Sequence, residues 1–400
     1  MVEWCFPARS IGLLAVVALL ACTAAPSGGT APAGSGTSPS TSGASAAGAA
    51  APPATPAASS AGAPAAPSTA AASPRAPLTP PVRVHAAYPT NSSYLAFYLA
   101  VDKGFFQEEG LDLELTPINV TPDLFAALAS GQIDVGGSGA DPALFNAVAR
   151  GVETKIVGQF GAATPTSRGL CVLVRKDLVD SGRYREPSDL KGMNVAVPTP
   201  TSSSAFYLER ALGMAGLRLD DVTMSSLPFP DMNVALANKA IDAAVQVQPF
   251  VMQAENEGVA QVVYTAGEFA PGFPSLVLLM ADNFTRSQPE AARRFLVAFL
   301  RGQREVSTTF DRGTGNKNEV YESLAKYTPI KDPGLNDALA RAGLFNGMMV
   351  NGDIGVAQLD EFQDFFVRVG AQQEKLDLGK VIDRAYVDYA VQQLGRVPTS

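Results

Sequence analysis

Apolar positions along the chain fall into three regimes. Ile11 to Ala21 is an unbroken run of small and aliphatic residues. From Thr23 to Pro80 periodicity vanishes, and Leu78 is the one large aliphatic residue among Ala, Pro, Ser, Thr and Gly. From Val82 onward short apolar runs alternate with stretches of helical spacing. Val82 to Ala87 predicts a strand, Tyr88 to Ser93 a polar turn, and Tyr94 to Asp102 a helix that Gly104 stops. Leu111 to Leu115 alternates apolar with acidic residues, as a strand does. Thr121-Pro122 predicts an N-cap with proline at the first helical position, a helix over Asp123 to Ser130 ending at Gly131, and a strand opening at Ile133 to Val135. Strands alternating with helices imply a parallel sheet.

The same order returns about 110 residues later. Met193 to Val197 predicts a strand, Pro198 to Ser203 a polar turn, Ser204 to Met214 a helix, Val222 to Ser226 a strand, a helix capped by Asp231, and a strand from Ile241 to Val245. Ala127-Leu128-Ala129 with Ile133-Asp134 is echoed by Ala235-Leu236-Ala237 with Ile241-Asp242, and His85 to Asp134 spans 49 residues where Val195 to Asp242 spans 47. Two like βαβαβ units suggest two lobes, with Leu170 to Val174 and Leu276 to Met280 as candidate crossings. Beyond them, Ser287 to Glu290 reads as a capping box. Phe295 with Phe299, Leu359 with Phe362 and Phe366, and Ile382 with Tyr386 form stripes expected to brace the first lobe.

Composition narrows the chemistry. Residues 1 to 80 carry three charged side chains, Glu3, Arg9 and Arg75, and 12 of the 30 prolines. The remaining 320 residues hold 28 basic against 37 acidic side chains, a net charge of −9 that argues against nucleic-acid binding. His85 is the one histidine and Cys5, Cys22 and Cys171 the three cysteines, which leaves little for a Ser-His-Asp triad, a metal site or a disulfide framework. Cys171, inside an apolar strand, is expected to be an inert core residue, and His85 a satisfied core histidine.

Eleven residues of helix from Ile11 reach roughly 16 Å, about half the hydrocarbon thickness, which suits a signal segment rather than a span. The run ends in Leu19-Leu20-Ala21-Cys22, which resembles the lipobox of bacterial lipoproteins. That resemblance implies a signal peptide over residues 1–22, lipid on Cys22 and an extracytoplasmic protein anchored to the cell membrane, in the periplasm or on the outer face of the cytoplasmic membrane. Residues 23–80 cannot bury enough apolar surface to offset ordering entropy, and as a coil they span on the order of 40–50 Å. They read as a tether.

Gly104-Phe105-Phe106 with Glu108 to Asp112, Ala127 to Asp134, Asp189-Leu190-Lys191-Gly192, and Asp242-Ala243-Ala244 with Pro249-Phe250 resemble the signature of solute-binding proteins of ABC importers. The branch is that of nitrate, sulfonate and taurine binding, which shares its fold with thiamine pyrimidine-precursor proteins. The resemblance covers roughly residues 82 to 395. It implies a two-lobed α/β fold, periplasmic-binding-protein-like (type II), with hinged Rossmann-like lobes closing over a small solute. One lobe would hold residues 81–172 and 273–400, the other 173–272. The implied protein is a monomer without cofactor that hands its solute to permease subunits. Two alternatives stay open. One is a protein that binds or transforms a pyrimidine on the same fold; the other is an extracellular sensing module.

Ligands of open α/β sheets sit beyond the carboxyl ends of strands. Applied to both copies, this rule selects Tyr88 to Tyr94 with Pro198 to Ser204, and Gly136 to Asp141 with Gln246 to Phe250. The candidate ligand contacts are Tyr88, Asn91, Ser92, Ser93, Tyr94, Ser138, Thr199, Thr201, Ser202, Ser203, Gln246 and Gln248. Their hydroxyls and amides ahead of helices suit an oxyanion, while Tyr88, Tyr94, Phe160, Phe229 and Phe250 would suit a heterocycle. Arg168 is the nearest plausible basic side chain. Asp134 and Asp242, at strand starts, are expected to be structural.

Overall fold

One hydrogen-bond pattern, used twice, organises the body. Asp134 accepts the backbone N–H of His85 on its carboxylate at 2.9 Å, and its own N–H reaches the His85 carbonyl at 2.8 Å. Asp242 repeats both bonds on Asn194, at 3.0 and 2.8 Å. Each aspartate thereby closes the entry to a strand, satisfying amides that would otherwise lie unpaired at a sheet end. The equivalence runs from His85 to Asn194, one residue earlier than the Val195 read from the sequence. His85 is not a core residue: its ring is 40% exposed, between Asp134 at 3.2 Å and Glu114 at 3.5 Å.

The structure, a computed structural model, describes residues 76–398. The expected signal peptide, Cys22 and the tether through residue 75 lie outside the described residues. The ordered body begins within the expected linker. Ala76 accepts a hydrogen bond from Arg294, and the Leu78 N–H binds the Glu109 carbonyl.

Ten strands appear among the described residues: β1 Val82–Tyr88, β2 Leu111–Pro117, β3 Val135–Ser138, β4 Thr154–Ala162, β5 Leu170–Arg175, β6 Asn194–Val197, β7 Thr223–Ser226, β8 Ala243–Val247, β9 Ala260–Thr265 and β10 Pro274–Ala281. They form two five-stranded sheets, ordered β2-β1-β3-β10-β4 and β7-β6-β8-β5-β9, one per lobe. The sheets are mixed rather than wholly parallel. β10 runs antiparallel to β3 and β4, and β5 antiparallel to β8 and β9. Each of these two strands enters its sheet from the opposite lobe, so its direction is set by the crossing and not by a βαβ unit. All of β5 lies in the second sheet, so the expected boundary at 172/173 runs through a strand. The crossings at 163–169 and 266–273 run side by side, with the Ala163 N–H bound to the Phe273 carbonyl and the Gly272 N–H to the Ala163 carbonyl.

Helix starts differ in detail from the sequence reading. Val120, not Thr121, precedes helix Thr121–Ala129, and Pro228, not Asp231, precedes Phe229–Ala237. In both, proline in the first turn presets the helical φ without a side-chain cap. No capping box forms at Ser287 to Glu290. Ser287 closes a separate helix, Asp282–Ser287, and Glu290 pairs with Arg294 at 3.0 Å. In the last helix, Ala385–Leu394, the buried members are Val387 and Ala390 rather than Ile382 and Tyr386.

The long helix Pro289–Phe310 fills the first lobe, burying Phe295, Phe299, Leu296 and Leu300 as its stripe predicts. It comes so close to helix Leu95–Asp102 that a Cβ on Gly302 would stand 2.2 Å from the Ala96 carbonyl oxygen. Helix Val356–Arg368 does not brace the first lobe alone. Phe366 meets Phe145 of the first lobe at 6.2 Å between ring centroids, while Phe362 and Phe365 meet Phe206 of the second at 4.6 and 5.5 Å. Ion pairs Arg210–Glu361 at 3.1 Å and Arg368–Glu209 at 2.6 Å flank this contact. Exposed pairs contribute about 0–1 kcal/mol each, so ring burial carries the junction.

Substituting Gly302→Val forces that close helix pair apart. Overpacking of this kind costs about 1–3 kcal/mol, read as a lower denaturant midpoint at unchanged m value. Wild-type stability in this variant would contradict the close approach.

Candidate functional site

Carboxyl ends of the parallel strands from both sheets face one another, and the loops leaving them enclose a cavity of about 430 Å³. That falls within the roughly 300–1,000 Å³ of small-molecule sites. Each of the four loops chosen from the sequence reaches its wall: Asn91, Ser92 and Ser93 after β1, Gly139 to Asp141 after β3, Ser203 after β6, and Gln248 after β8, next to Val247 at that strand's end. Every one of these segments leads into a helix. Ser92–Tyr94 is a 3-10 turn before Leu95–Asp102, Asp141 caps Pro142–Ala149, Ser203 opens Ser203–Gly213, and Gln248 lies two residues before Phe250–Asn256. Helix starts bring unpaired backbone N–H groups to the cavity mouth.

Local hydrogen bonds separate the structural members from those with spare capacity. Asn91 accepts the Ser93 N–H at 3.0 Å on its side chain. Ser202, expected in the site, stands off the wall. Its hydroxyl donates to the Thr199 carbonyl at 2.7 Å and accepts the Ala205 N–H at 3.3 Å, which makes it the helix cap. Ser203, one residue on, lines the cavity. The hydroxyls of Ser92, Ser93 and Ser203 make no hydrogen bond to another described residue. Gln248 lines the wall while its amide donates to the Arg168 carbonyl at 3.2 Å and accepts from the Met252 N–H at 3.3 Å.

The other expected contacts lie elsewhere. Tyr88 packs edge-on against Tyr98 and Tyr327, at 5.7 and 5.8 Å. Tyr94 is buried behind the wall, its ring 4.3 Å from that of Phe160, and its hydroxyl has no partner among the described residues. Burial pushes that phenol well above its ordinary pKa. Ser138 is buried, donating to the Gly139 carbonyl at 3.1 Å. Thr199 and Thr201 are exposed, their hydroxyls 3.4 Å apart. Gln246 is fully buried, spending its amide on the Phe229 carbonyl, Asn233 and the Val247 N–H. Strand alternation would put Gln246 and Gln248 on one face, but β8 ends at Val247, and only Gln248, beyond the strand, reaches the cavity wall.

Of the aromatic candidates Phe160 lines the cavity, whereas Phe229 packs on the second lobe's core and Phe250 stands off the wall. Much of the remaining apolar surface comes from Tyr207, Phe273, Leu344, Met348 and Phe362, none of them among the ligand contacts expected from the sequence. Tyr207 carried a usable signal: it lies four residues after Ser203 on one helix face. Leu344 and Met348 carried none, because they belong to a loop that reaches the crossing from far along the chain. Gly343 and Asn346 of that loop also line the wall, and the Asn346 amide donates to Asp311 at 2.7 Å.

Charge at the cavity is sparse. Asp141 is the ionisable acid on the described wall, and no Lys, Arg or His joins it there. One Asp141 oxygen accepts the Leu144 N–H at 3.1 Å, and burial pushes its pKa above the ordinary range against the pull of the Leu144 and Ala143 amides. Arg168 is not on the wall; its guanidinium holds both Glu255 oxygens, at 2.8 and 2.9 Å. Cys171 is fully buried, and that burial pushes its thiol up to about 12, so it supplies no thiolate at neutral pH. Among the described residues no group of three or more His, Cys, Asp or Glu could hold a metal ion.

Known proteins share this architecture. The alkanesulfonate-binding protein SsuA from Xanthomonas axonopodis pv. citri, solved bound to MOPS, aligns with a TM-score of 0.56 at 20% identity over 77% of this chain and 100% of its own. A Brucella abortus (strain 2308) protein, named as a binding protein without a stated ligand, is 25% identical over 324 residues, 74% of this chain and 91% of its own. The taurine-binding periplasmic protein of Escherichia coli (strain K12) is 27% identical over 224 residues, 56% of this chain and 66% of its own. The two-lobed fold of the solute-binding proteins is therefore the fold of this body. Residues 79–325 match the model of the NMT1-like family, more than half of the chain, and the protein belongs to that family.

Proposed function

We propose that this chain is the extracytoplasmic solute-binding lipoprotein of an ABC importer. In this reading it works as a monomer, captures a small solute between its lobes and presents the closed form to the permease subunits. The observation that carries the reading is the shared cavity, into which matching loops of both sheets deliver hydroxyls and amides. The names of relatives, which give taurine and alkanesulfonate as ligands, support a small polar solute. Sulfonates, taurine and nitrate are one class of candidate, held by the Ser92, Ser93 and Ser203 hydroxyls and helix-start amides. A pyrimidine-like heterocycle is the second, favoured by the rings of Phe160, Tyr207, Phe273 and Phe362.

Capture follows from differential affinity. A solute touching both lobes stabilises the closed form only by the contacts it gains there. Neither histidine nor a reactive cysteine is available on the described wall, which supports holding rather than transforming the guest. Upstream, lipid on Cys22 and a tether from Thr23 would leave the body free to turn toward its transporter.

A thermal-shift screen of the mature chain against taurine, alkanesulfonates, nitrate and pyrimidine precursors tests capture. A ligand at 100 times its Kd adds about 2.7 kcal/mol, a shift of several degrees. Combining Ser92→Ala with Ser203→Ala removes two hydrogen bonds and weakens binding of a hit by about tenfold. Unchanged affinity rejects the loop assignment.

Anchoring is tested separately. Cys22→Ser moves the protein expressed in a bacterial host from the membrane to the soluble or secreted fraction, whereas membrane retention contradicts lipidation at that residue.

A further inference from the structure

The described cavity wall is unusual for a site that would hold a simple anion. Its formal charge is the carboxylate of Asp141, with no Lys, Arg or His beside it. The guanidinium of Arg168, a residue that falls between the wall residues Ser167 and Gly169, is already held by both oxygens of Glu255, at 2.8 and 2.9 Å, and Arg168 is not on the wall. An anion entering here would approach a half-buried carboxylate where the medium screens charge poorly. Asp141 also caps helix Pro142–Ala149, so its charge offsets the helix dipole that would otherwise attract an oxyanion.

Asp141 has capacity left for a guest. One oxygen accepts the Leu144 N–H at 3.1 Å, and no described side chain forms an ion pair or hydrogen bond with either oxygen. Capping alone needs no charge, since asparagine caps as well as aspartate. Besides this carboxylate, the cavity wall carries the rings of Phe160, Tyr207, Phe273 and Phe362, together with Met348. A ring between such faces, with N–H groups at its edge, would satisfy both kinds of surface.

We infer that Asp141 makes this cavity selective for a planar, nitrogen-bearing solute, an amino- or amidine-substituted aromatic ring whose N–H groups donate to its carboxylate. The inference rests on the reading of the cavity as the solute site. It explains how a wall without cations can still orient a guest, and it separates this chain's ligand from purely anionic ones.

Three probes share one ring and differ in charge: benzamidinium, benzamide and benzenesulfonate. Titration of the full mature chain is expected to give benzamidinium the tightest binding, about tenfold or more over benzenesulfonate, the scale of a hydrogen bond to a charged group. Asp141→Asn keeps the cap, leaves the thermal midpoint of the free protein close to wild type, and cuts benzamidinium affinity by about tenfold while benzamide changes little. Equal or tighter binding of benzenesulfonate overturns the inference, and so does an unchanged preference in Asp141→Asn. Silence from all three probes overturns it as well. If taurine or an alkanesulfonate still shifts the melting temperature in that case, solute capture stands without it; silence from every compound in both panels removes capture too.

Discussion

Two backbone hydrogen bonds between neighbouring crossings, from Ala163 N–H to the Phe273 carbonyl and from Gly272 N–H to the Ala163 carbonyl, fix where the two sheets meet. A third segment clamps this junction. The Ala162 N–H reaches the Gly347 carbonyl and the Arg168 N–H the Ala342 carbonyl. Gly347 is required for that fit: its φ is +76°, and a Cβ there would lie 2.4 Å from the Ala162 carbonyl oxygen. Because the crossings are anchored, the carboxyl ends of both sets of parallel strands are turned toward one space. The cavity follows from this connectivity.

Duplication and crossing supply different chemistry. The repeated strand-loop-helix unit delivers Ser92, Ser93 and Ser203 at helix starts, a polar rim present in both lobes. The crossings and the clamping loop deliver Phe273, Leu344 and Met348, an apolar lining that neither copy contains by itself. Helix Val356–Arg368 adds Phe362 to that lining while packing on both lobes, so the residue that walls the cavity also sits in the interlobe junction. Rings buried at that junction hold the two lobes together more strongly than the exposed ion pairs around them.

What could be read from the sequence was whatever local pattern dictates. The strand at Val82, the helix stopped by Gly104 and the doubled element order depend on residues within one turn or one pleat of each other, and the structure has them. The polar rim was legible for the same reason, to within a residue: a hydroxyl cluster before a helix announces a cap and its neighbour, although which of Ser202 and Ser203 caps is decided by three-dimensional geometry. Antiparallel β5 and β10 escaped notice because strand direction depends on which sheet the chain enters. Leu344 and Met348 escaped because no local signal announces a partner more than 150 residues away. Tyr94 and Gln246 were misplaced by rules that give loop position without depth; both lie behind the cavity wall.

The central claim is that a guest in this cavity draws the lobes together. Val120, just before the helix that follows β2, and Val234, within the helix that follows β7, are exposed, one per lobe. Cysteines at these two sites, with Cys5 and Cys22 replaced by serine and Cys171 protected by its burial, accept spin labels whose separation pulsed paramagnetic resonance measures directly. The account predicts that a saturating thermal-shift hit moves the distance distribution to shorter values. A distribution unchanged by saturating ligand would contradict it.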